Sequence, residues 1–238
     1  MSIAENIARV RTQIESAARR AGRSPSQIEL MAVTKTVPVE RIREAYQSGI
    51  RLLGENRVQE FEAKRSALTG LTDARWNMIG HLQTNKAARA AELFYSVESV
   101  DSLRLAQKLN SAASELGKTL PILIEINVGA EPAKSGIAPA SDDLELVLRA
   151  APELPYLHFE GLMTVPPYSD DPERSRPFFR TMRELASSIR RRGLPAVNMS
   201  VLSMGMSHDF EIAIEEGATR VRVGTALFGE RINPRSKA

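Results

Sequence analysis

A lysine stands directly after one of the most apolar stretches of the chain. Residues 29–34 read ELMAVT, and Lys35 follows them. A lysine at the end of a buried strand is partly removed from water, which lowers the pKa of its ammonium group and supplies neutral amine. Such an amine can attack an aldehyde and form a Schiff base. The simpler alternative is a lysine that reaches solvent beside Glu55, and position alone does not separate the two.

Two later segments have the composition of a phosphate-binding site. SMGMS at 203–207 supplies Ser207, and VGTA at 223–226 supplies Gly224 and Thr225. Small residues let a ligand approach the backbone, and exposed N–H groups together with hydroxyls bind phosphate oxygens. Either segment alone is as well explained by chain turning and helix capping. The two segments together predict a phosphate site.

An arginine comes just before the second of these segments, in the stretch TRVRV at 219–223. Alternation along a strand places Arg222 on the face opposite Val221 and Val223. An arginine that faces a barrel interior needs a partner. One candidate is the nitrogen of a pyridine ring, which would stay unprotonated because arginine keeps its proton; such a ring is a weak electron sink. The other candidate is a carboxylate such as Glu125.

A ligand with both an aldehyde and a phosphate would bridge Lys35 and the loops around Ser207 and Gly224. Pyridoxal 5′-phosphate has both groups and a pyridine nitrogen as well, so it fits all of the residues considered so far. An aldolase that binds a sugar phosphate as a Schiff base would use the same lysine without any cofactor. That class predicts a colourless protein that does not bind pyridoxal phosphate.

The elements between these residues must bring them together. Apolar or β-branched runs predict strands at 29–34, 51–54, 75–80, 93–97, 120–128, 156–163, 198–203 and 219–223. Helical patterns fall at 3–21, 39–49, 56–69, 85–92, 101–117, 140–150, 172–193 and 208–217, and a short closing helix begins at Thr225.

This alternation predicts an α/β fold, a closed (β/α)₈ TIM barrel with an extra N-terminal helix, as a single domain over residues 1–238. An open doubly wound sheet is the alternative, because the second and fourth strand patterns are short. In a barrel, functional residues gather at the carboxyl ends of the strands. Lys35, Ser207 and Gly224 all fall at such ends.

Composition excludes several classes of function. The chain has 238 residues, a formal charge of +3 and no cysteine, so disulfides, thiolate catalysis and cysteine-ligated metals are excluded. The small net charge gives no electrostatic footprint for nucleic acid. No two histidines have the spacing of metal ligands. The first residues lack the apolar core of a signal peptide, and no window approaches a membrane span, so the cytoplasm is the expected compartment.

Longer motifs resemble a known family. The segments are AVTKTVP at 32–38, GENRVQE at 54–60, IGHLQTNK at 79–86, KSG at 134–136, GLMTVPP at 161–167 and the block LSMGMSHDFEIAIEEGATRVRVGTALFG at 202–229. In this order they resemble the pyridoxal phosphate homeostasis proteins, the YggS/PROSC family, which is similar to the barrel domain of alanine racemase. The resemblance covers almost the whole chain, and the block at 202–229 is highly specific.

The resemblance implies a role for each candidate site residue. Lys35 looks like the Schiff-base lysine, and Arg222 looks like the partner of the ring nitrogen. Ser207, Gly224 and Thr225 look like the phosphate holders. By the same resemblance, Asn56 and Met204 are pocket-lining, cofactor-binding positions.

The resemblance also implies a function. Members manage cofactor supply and amino-acid balance without an accepted catalytic turnover, and they are mostly monomeric. A non-catalytic carrier that hands pyridoxal phosphate to apo-enzymes is therefore expected. Two departures, Asn77-Met78 within WNMIG and Arg57 after GEN, alter the rim of the pocket rather than a proposed cofactor contact.

The alternative is a pyridoxal phosphate-dependent enzyme that resembles an amino-acid racemase. Such an enzyme needs acid or base groups on both faces of the substrate carbon. Lys35 could serve one face. In racemases a tyrosine from a second domain serves the other face, and here only Tyr168 lies in a rim loop.

Overall fold

Eight parallel strands close into a barrel in the computed structural model, which describes residues 1–132 and 134–229. The strands are β1 (Glu29–Val33), β2 (Leu52–Glu55), β3 (Arg75–Met78), β4 (Ser96–Val100), β5 (Leu120–Glu125), β6 (Leu157–Met163), β7 (Val197–Ser203) and β8 (Arg220–Val223). Each strand pairs with its neighbour in the sequence, and Ala32 of β1 pairs with Val223 of β8 to close the ring. The predicted (β/α)₈ barrel is confirmed, and the open sheet is excluded.

An α-helix follows each strand on the outside of the barrel. The α-helices are α1 (Ile3–Arg20), α2 (Val39–Gln47), α3 (Val58–Arg65), α4 (Ala87–Leu93), α5 (Leu103–Glu115), α6 (Asp142–Ala150), α7 (Arg176–Arg191), α8 (Phe210–Glu215) and α9 (Thr225–Phe228). Alternate residues of the strands face this helical layer. Ile122 and Ile124 of β5 join the hydrophobic core between sheet and helices. Leu123 and Glu125 therefore face the barrel interior.

The N-terminal helix α1 packs on the outside of the barrel beside α2, α8 and α9. Its capping box joins Ser2 and Glu5, and its apolar stripe is buried, as the sequence predicts. The side chain of Asn6 donates to the carbonyl of Leu227, 2.9 Å away. Gly22, with φ +66°, ends the helix in a conformation that favours glycine. This helix therefore supports the outer face of α9, which begins directly after β8.

The fourth strand differs from its prediction. The sequence pattern predicts 93–97, but β4 runs from Ser96 to Val100. The prediction is wrong because Phe94, which the pattern assigns to the strand, instead ends the preceding helix. Phe94 ends α4 and packs on Phe61 of α3, with ring centroids 5.0 Å apart. The shift matters for the interior, because it brings Glu98 into the middle of the strand.

The fifth strand is shorter than the predicted segment 120–128. After β5 the chain folds back, and Ile126 bridges to Ile137. The backbone N–H of Asn127 donates to Ile137, 2.9 Å away. The described residues 126–132 and 134–137 therefore form a loop that is fastened to the strand it leaves, and Glu125 is the last residue of β5.

The predicted closing helix at Thr225 is confirmed as α9. The single domain over residues 1–238 stays a prediction, and residues 230–238 lie outside the described part of the chain. Within residues 1–132 and 134–229, no helix has both the length and the apolar character needed to cross a bilayer.

Candidate functional site

The candidate residues come from strands that are far apart in the sequence and adjacent in the barrel. Lys35 follows β1, Asn56 follows β2, Ser207 follows β7, and Thr225 opens α9 after β8. Arg222 lies within β8. Because all strands run parallel, their carboxyl ends meet at one mouth of the barrel.

The backbone on either side of Lys35 is held by α3. The ammonium of Lys64 donates to the carbonyl of Thr34, 2.9 Å away, and the backbone N–H of Thr36 donates to Glu60. Thr36 has φ +60°, a conformation that is strained for a β-branched residue. Such strain persists only where surrounding contacts impose it. Lys35 itself is half-buried, and the contacts on either side of it fix its backbone at the mouth.

The carboxylate of Glu55 is held by the same helix. It is fully buried and accepts from Lys64, 2.7 Å away, and from the hydroxyl of Thr34. Burial raises the pKa of Glu55, and the charge of Lys64 opposes that effect. The carboxylate that the sequence sets beside Lys35 is therefore bound by a second lysine, which sequence reasoning missed.

The loops after β7 and β8 are joined by one hydroxyl. Ser207 Oγ accepts from the backbone N–H groups of Gly224 and Ala226, each 3.2 Å away. Those two N–H groups therefore point into the gap between the loops. Gly205 has φ +89°, and a Cβ at this position would lie 2.5 Å from that of Ala213. Glycine is required there, because the loop packs directly on α8.

Arg222 is buried, with 4% of its surface exposed, and it is firmly held. Its Nη1 donates to the backbone carbonyl of Ser203 at 2.6 Å and to the hydroxyl of the same residue at 2.8 Å. Its Nη2 donates to the carbonyl of Thr164, 2.7 Å away. Burial lowers the pKa of Arg222, while the charges of Glu98 and Glu125 act in the opposite direction. The arginine faces the interior, as alternation predicts.

A carboxylate that the sequence analysis missed lies behind Arg222. Glu98 of β4 is fully buried and accepts from Arg220 Nη1 and from the hydroxyl of Ser203, each 2.6 Å away. Burial works to lower the pKa of Arg220, but Glu98 and Glu29 outweigh it and raise the pKa. A charged residue inside the run SVESV at 96–100 is the signal that would have revealed it.

Asn56 and Met204 occupy different surroundings. A Cβ on Gly80 would lie 2.4 Å from the carbonyl oxygen of Asn56, so the ends of β2 and β3 are in close contact there. Asn56 is half-buried at the mouth. Met204 is fully buried and belongs to the hydrophobic core. Its proposed contact with a cofactor stays a prediction.

The opposite wall of the mouth is acidic. His81 Nδ1 lies 3.1 Å from Asp101 Oδ2, at the ends of β3 and β4. Glu125 follows at the end of β5 and accepts from the hydroxyl of Ser135, 3.2 Å away. Lys134 of the same loop is turned to Pro166, to whose carbonyl it donates at 3.2 Å. The mouth therefore has a basic side at β8 and an acidic side at β4 and β5.

A family model and two curated relatives match nearly the whole chain. The model of the alanine racemase N-terminal domain matches residues 5–232. A pyridoxal phosphate homeostasis protein of Aquifex aeolicus is 46% identical over 231 residues, which is 97% of this chain and 99% of that protein. A protein of the same name from Escherichia coli K12 is 41% identical, over 96% of this chain and 97% of the relative.

Two solved structures share the fold of this chain. PipY of Synechococcus elongatus, with pyridoxal phosphate bound, is 39% identical with a TM-score of 0.84, and the match covers 96% of this chain and all of that one. An alanine racemase of Clostridium difficile has a TM-score of 0.74 at 18% identity, over 98% of this chain and 58% of that chain. At that identity the second likeness supports the fold alone.

Proposed function

The chain belongs to the alanine racemase N-terminal domain family and, within it, to the pyridoxal phosphate homeostasis proteins, and we propose that it binds pyridoxal 5′-phosphate and holds it for supply to other proteins. The support from relatives is the name they share and the cofactor bound to PipY. The support from this chain is the arrangement of its own polar groups at the mouth.

The observation that carries the proposal is the junction of the two loops. The N–H groups of Gly224 and Ala226 converge on the single oxygen of Ser207, which is the arrangement that an anionic oxygen also requires. Arg222 lies two residues before this junction, and its backbone N–H donates to the carbonyl of Gly205 in the loop after β7, 3.0 Å away. A phosphate and an adjoining aromatic ring thus fit the groups present.

Arg222 connects this junction to the ring. A guanidinium has five N–H donors, and the described contacts of Arg222 use those on Nη1 and one on Nη2. The remaining N–H groups are the ones that the proposal assigns to the ring nitrogen. Since an arginine keeps its protons, the ring nitrogen would accept a hydrogen bond and stay unprotonated. This arrangement favours holding the cofactor over using it as a strong electron sink.

The other residues have positioning roles in the proposal. When bound, pyridoxal phosphate supplies an aldehyde that a lysine amine can capture as a Schiff base. Lys35 is the amine we assign to it, and the contacts of α3 with Thr34 and Thr36 fix the direction from which that amine enters the mouth. Gly224 and Thr225 bind the phosphate together with Ser207. Asn56 and Met204 complete the pocket wall.

The proposal includes the finer expectations from the sequence. Residues 1–238 act as one domain, as a monomer in the cytoplasm, without a catalytic turnover of its own. Apo-enzymes that use pyridoxal phosphate are the transient partners. This role requires exchange of the cofactor, and a cofactor that is exposed to water exchanges more readily than one sealed in an active site.

Proton exchange in heavy water tests the carrier against the enzyme. We expect the loaded protein, mixed with a panel of amino acids, to leave the α-proton signal unchanged in NMR while its visible absorption band shows that the cofactor is bound. Loss of the α-proton signal in the wild type but not in Lys35→Ala would contradict the carrier and support the racemase-like alternative.

Replacing Ser207 by alanine tests the phosphate site. We expect Ser207→Ala to weaken binding of pyridoxal phosphate about tenfold, because the hydroxyl that organises the two loops is lost. Binding of pyridoxal, which lacks the phosphate, should change much less. Isothermal titration calorimetry measures both, with Ser111→Ala on the exposed face of α5 as the matched control. An equal loss for both ligands would place the effect outside the phosphate site.

A further inference from the structure

Glu125 has a carboxyl oxygen that the contacts described above leave unused. The residue is buried at the carboxyl end of β5, with 8% of its surface exposed. Oε1 accepts from Ser135, whereas Oε2 has no hydrogen-bond partner among the residues that the structure describes. A buried polar atom without a partner is costly, so a native structure that retains one calls for an explanation. Because Glu125 faces the barrel interior, a ligand in the mouth can supply the partner.

The shape of the proposed ligand indicates which of its atoms comes to this side. On the pyridine ring, the phosphate arm and the 3-hydroxyl lie on opposite sides of the line that joins the ring nitrogen to the aldehyde carbon. The proposed function places the phosphate at Ser207 and Gly224, beyond β7 and β8. With the phosphate there, the 3-hydroxyl would face the other side of the mouth, where β3, β4 and β5 end.

His81, Asp101 and Glu125 are polar side chains on that side. His81 and Asp101 contact each other, 3.1 Å apart. Glu125 keeps Oε2 for another partner. The described part of the chain contains no group of three or more His, Cys, Asp or Glu residues placed to hold a metal ion.

The protonation state of Glu125 decides what it can bind. Burial raises the pKa of the Glu125 carboxyl, and the nearby charge of Asp101 adds to the effect. The hydrogen bond from Ser135 and the charges of Arg222 and His81 act against it. Because Oε1 already accepts from Ser135, a proton on this carboxyl belongs on Oε2. A protonated Oε2 is a hydrogen-bond donor, and the 3-oxygen of the ring is an acceptor.

We propose that Glu125 binds the 3-oxygen of the cofactor ring by donating a hydrogen bond from Oε2. This inference rests on the proposed function, because it takes the cofactor to be pyridoxal phosphate in the stated orientation. It gives the ring a fourth anchor besides Lys35, Arg222 and the phosphate loops. Ser135 acts as a positioning residue, since its bond to Oε1 turns Oε2 toward the mouth.

A comparison of two ligands and three proteins tests the proposal. The probes are 4-deoxypyridoxine 5′-phosphate, which has the 3-hydroxyl but no aldehyde, and the same compound with hydrogen in place of that hydroxyl. Neither can react with Lys35, so calorimetry reports noncovalent contacts alone. We expect the wild type to prefer the hydroxyl compound about tenfold. Glu125→Gln, which keeps a donor, should retain most of this preference, and Glu125→Met should lose it.

The outcomes separate the inference from the proposed function. A preference that persists in Glu125→Met, or that is missing in a wild type that binds both probes, would overturn the inference alone. A wild type that binds neither probe nor pyridoxal phosphate would overturn the proposed function and the inference with it. Glu153→Met, an exposed glutamate before β6, is the matched control and should bind both probes as the wild type does. If a variant fails to fold, the preference of the wild type for the compound with the 3-hydroxyl still tests the inference.

Discussion

Lys35→Ala, incubated with pyridoxal phosphate, is expected to show none of the visible absorption that a lysine Schiff base gives. The amine that would bind the aldehyde is removed, and the backbone clamp of Lys64 and Glu60 holds the loop in place without it. Lys35→Arg should give the same result, because a guanidinium keeps the charge but does not act as the amine. Absorption spectroscopy during titration with the cofactor measures the effect.

Covalent trapping identifies which lysine forms the Schiff base. Borohydride treatment of the loaded wild type should attach the cofactor to the peptide that contains Lys35, as read by mass spectrometry. Lys108→Ala, on the exposed face of α5, is the matched control and should keep the full absorption. A visible band that survives in both Lys35 variants would assign the anchor to another lysine. Lys64 and Lys134, which also lie near the mouth, would then be the next to replace.

The fold was largely predictable because its signals are local. Alternating strand and helix patterns gave the barrel, and the apolar stripe of the N-terminal helix gave α1. The error at β4 shows the limit of such patterns. An aromatic run can end a helix or form a strand, and only the packing of Phe94 on Phe61 decides between them.

The site was predictable where residues sit next to strand ends, and less so where they act across the barrel. Ser207 and Gly224 were found from composition, and the structure brings them into contact. Glu98 and Lys64 were missed because their partners lie on other elements: Glu98 of β4 meets Arg220 of β8, and Lys64 of α3 meets Glu55 of β2. Such pairings depend on barrel closure and on the packing of helix against sheet. A local pattern, such as the charge inside SVESV at 96–100, shows that a partner is needed but not which residue supplies it.

A buried ion pair between Arg220 and Glu98 lies behind the mouth and is linked to Arg222 through Ser203. Arg220 donates to Glu98, the hydroxyl of Ser203 donates to the same carboxylate, and Arg222 donates to Ser203. The chain of contacts runs from the middle of the barrel to the arginine assigned to the ring nitrogen. A buried pair of this kind is weak support for stability in itself, because desolvation offsets the attraction. Removing one member is a different matter, since a buried charge is then left without its partner.

Glu98→Leu is therefore expected to lower the free energy of unfolding by about 3 kcal/mol. The double variant Glu98→Leu with Arg220→Met should recover most of that loss, because replacing both members by apolar residues of similar volume is often neutral. Glu29, the other partner of Arg220, also lies 3.2 Å from Arg75, so it retains an ion pair when Arg220 is replaced. Urea unfolding measures all variants, with Glu153→Leu as the control that should not change. Losses that simply add in the double variant would show that the two residues are not coupled.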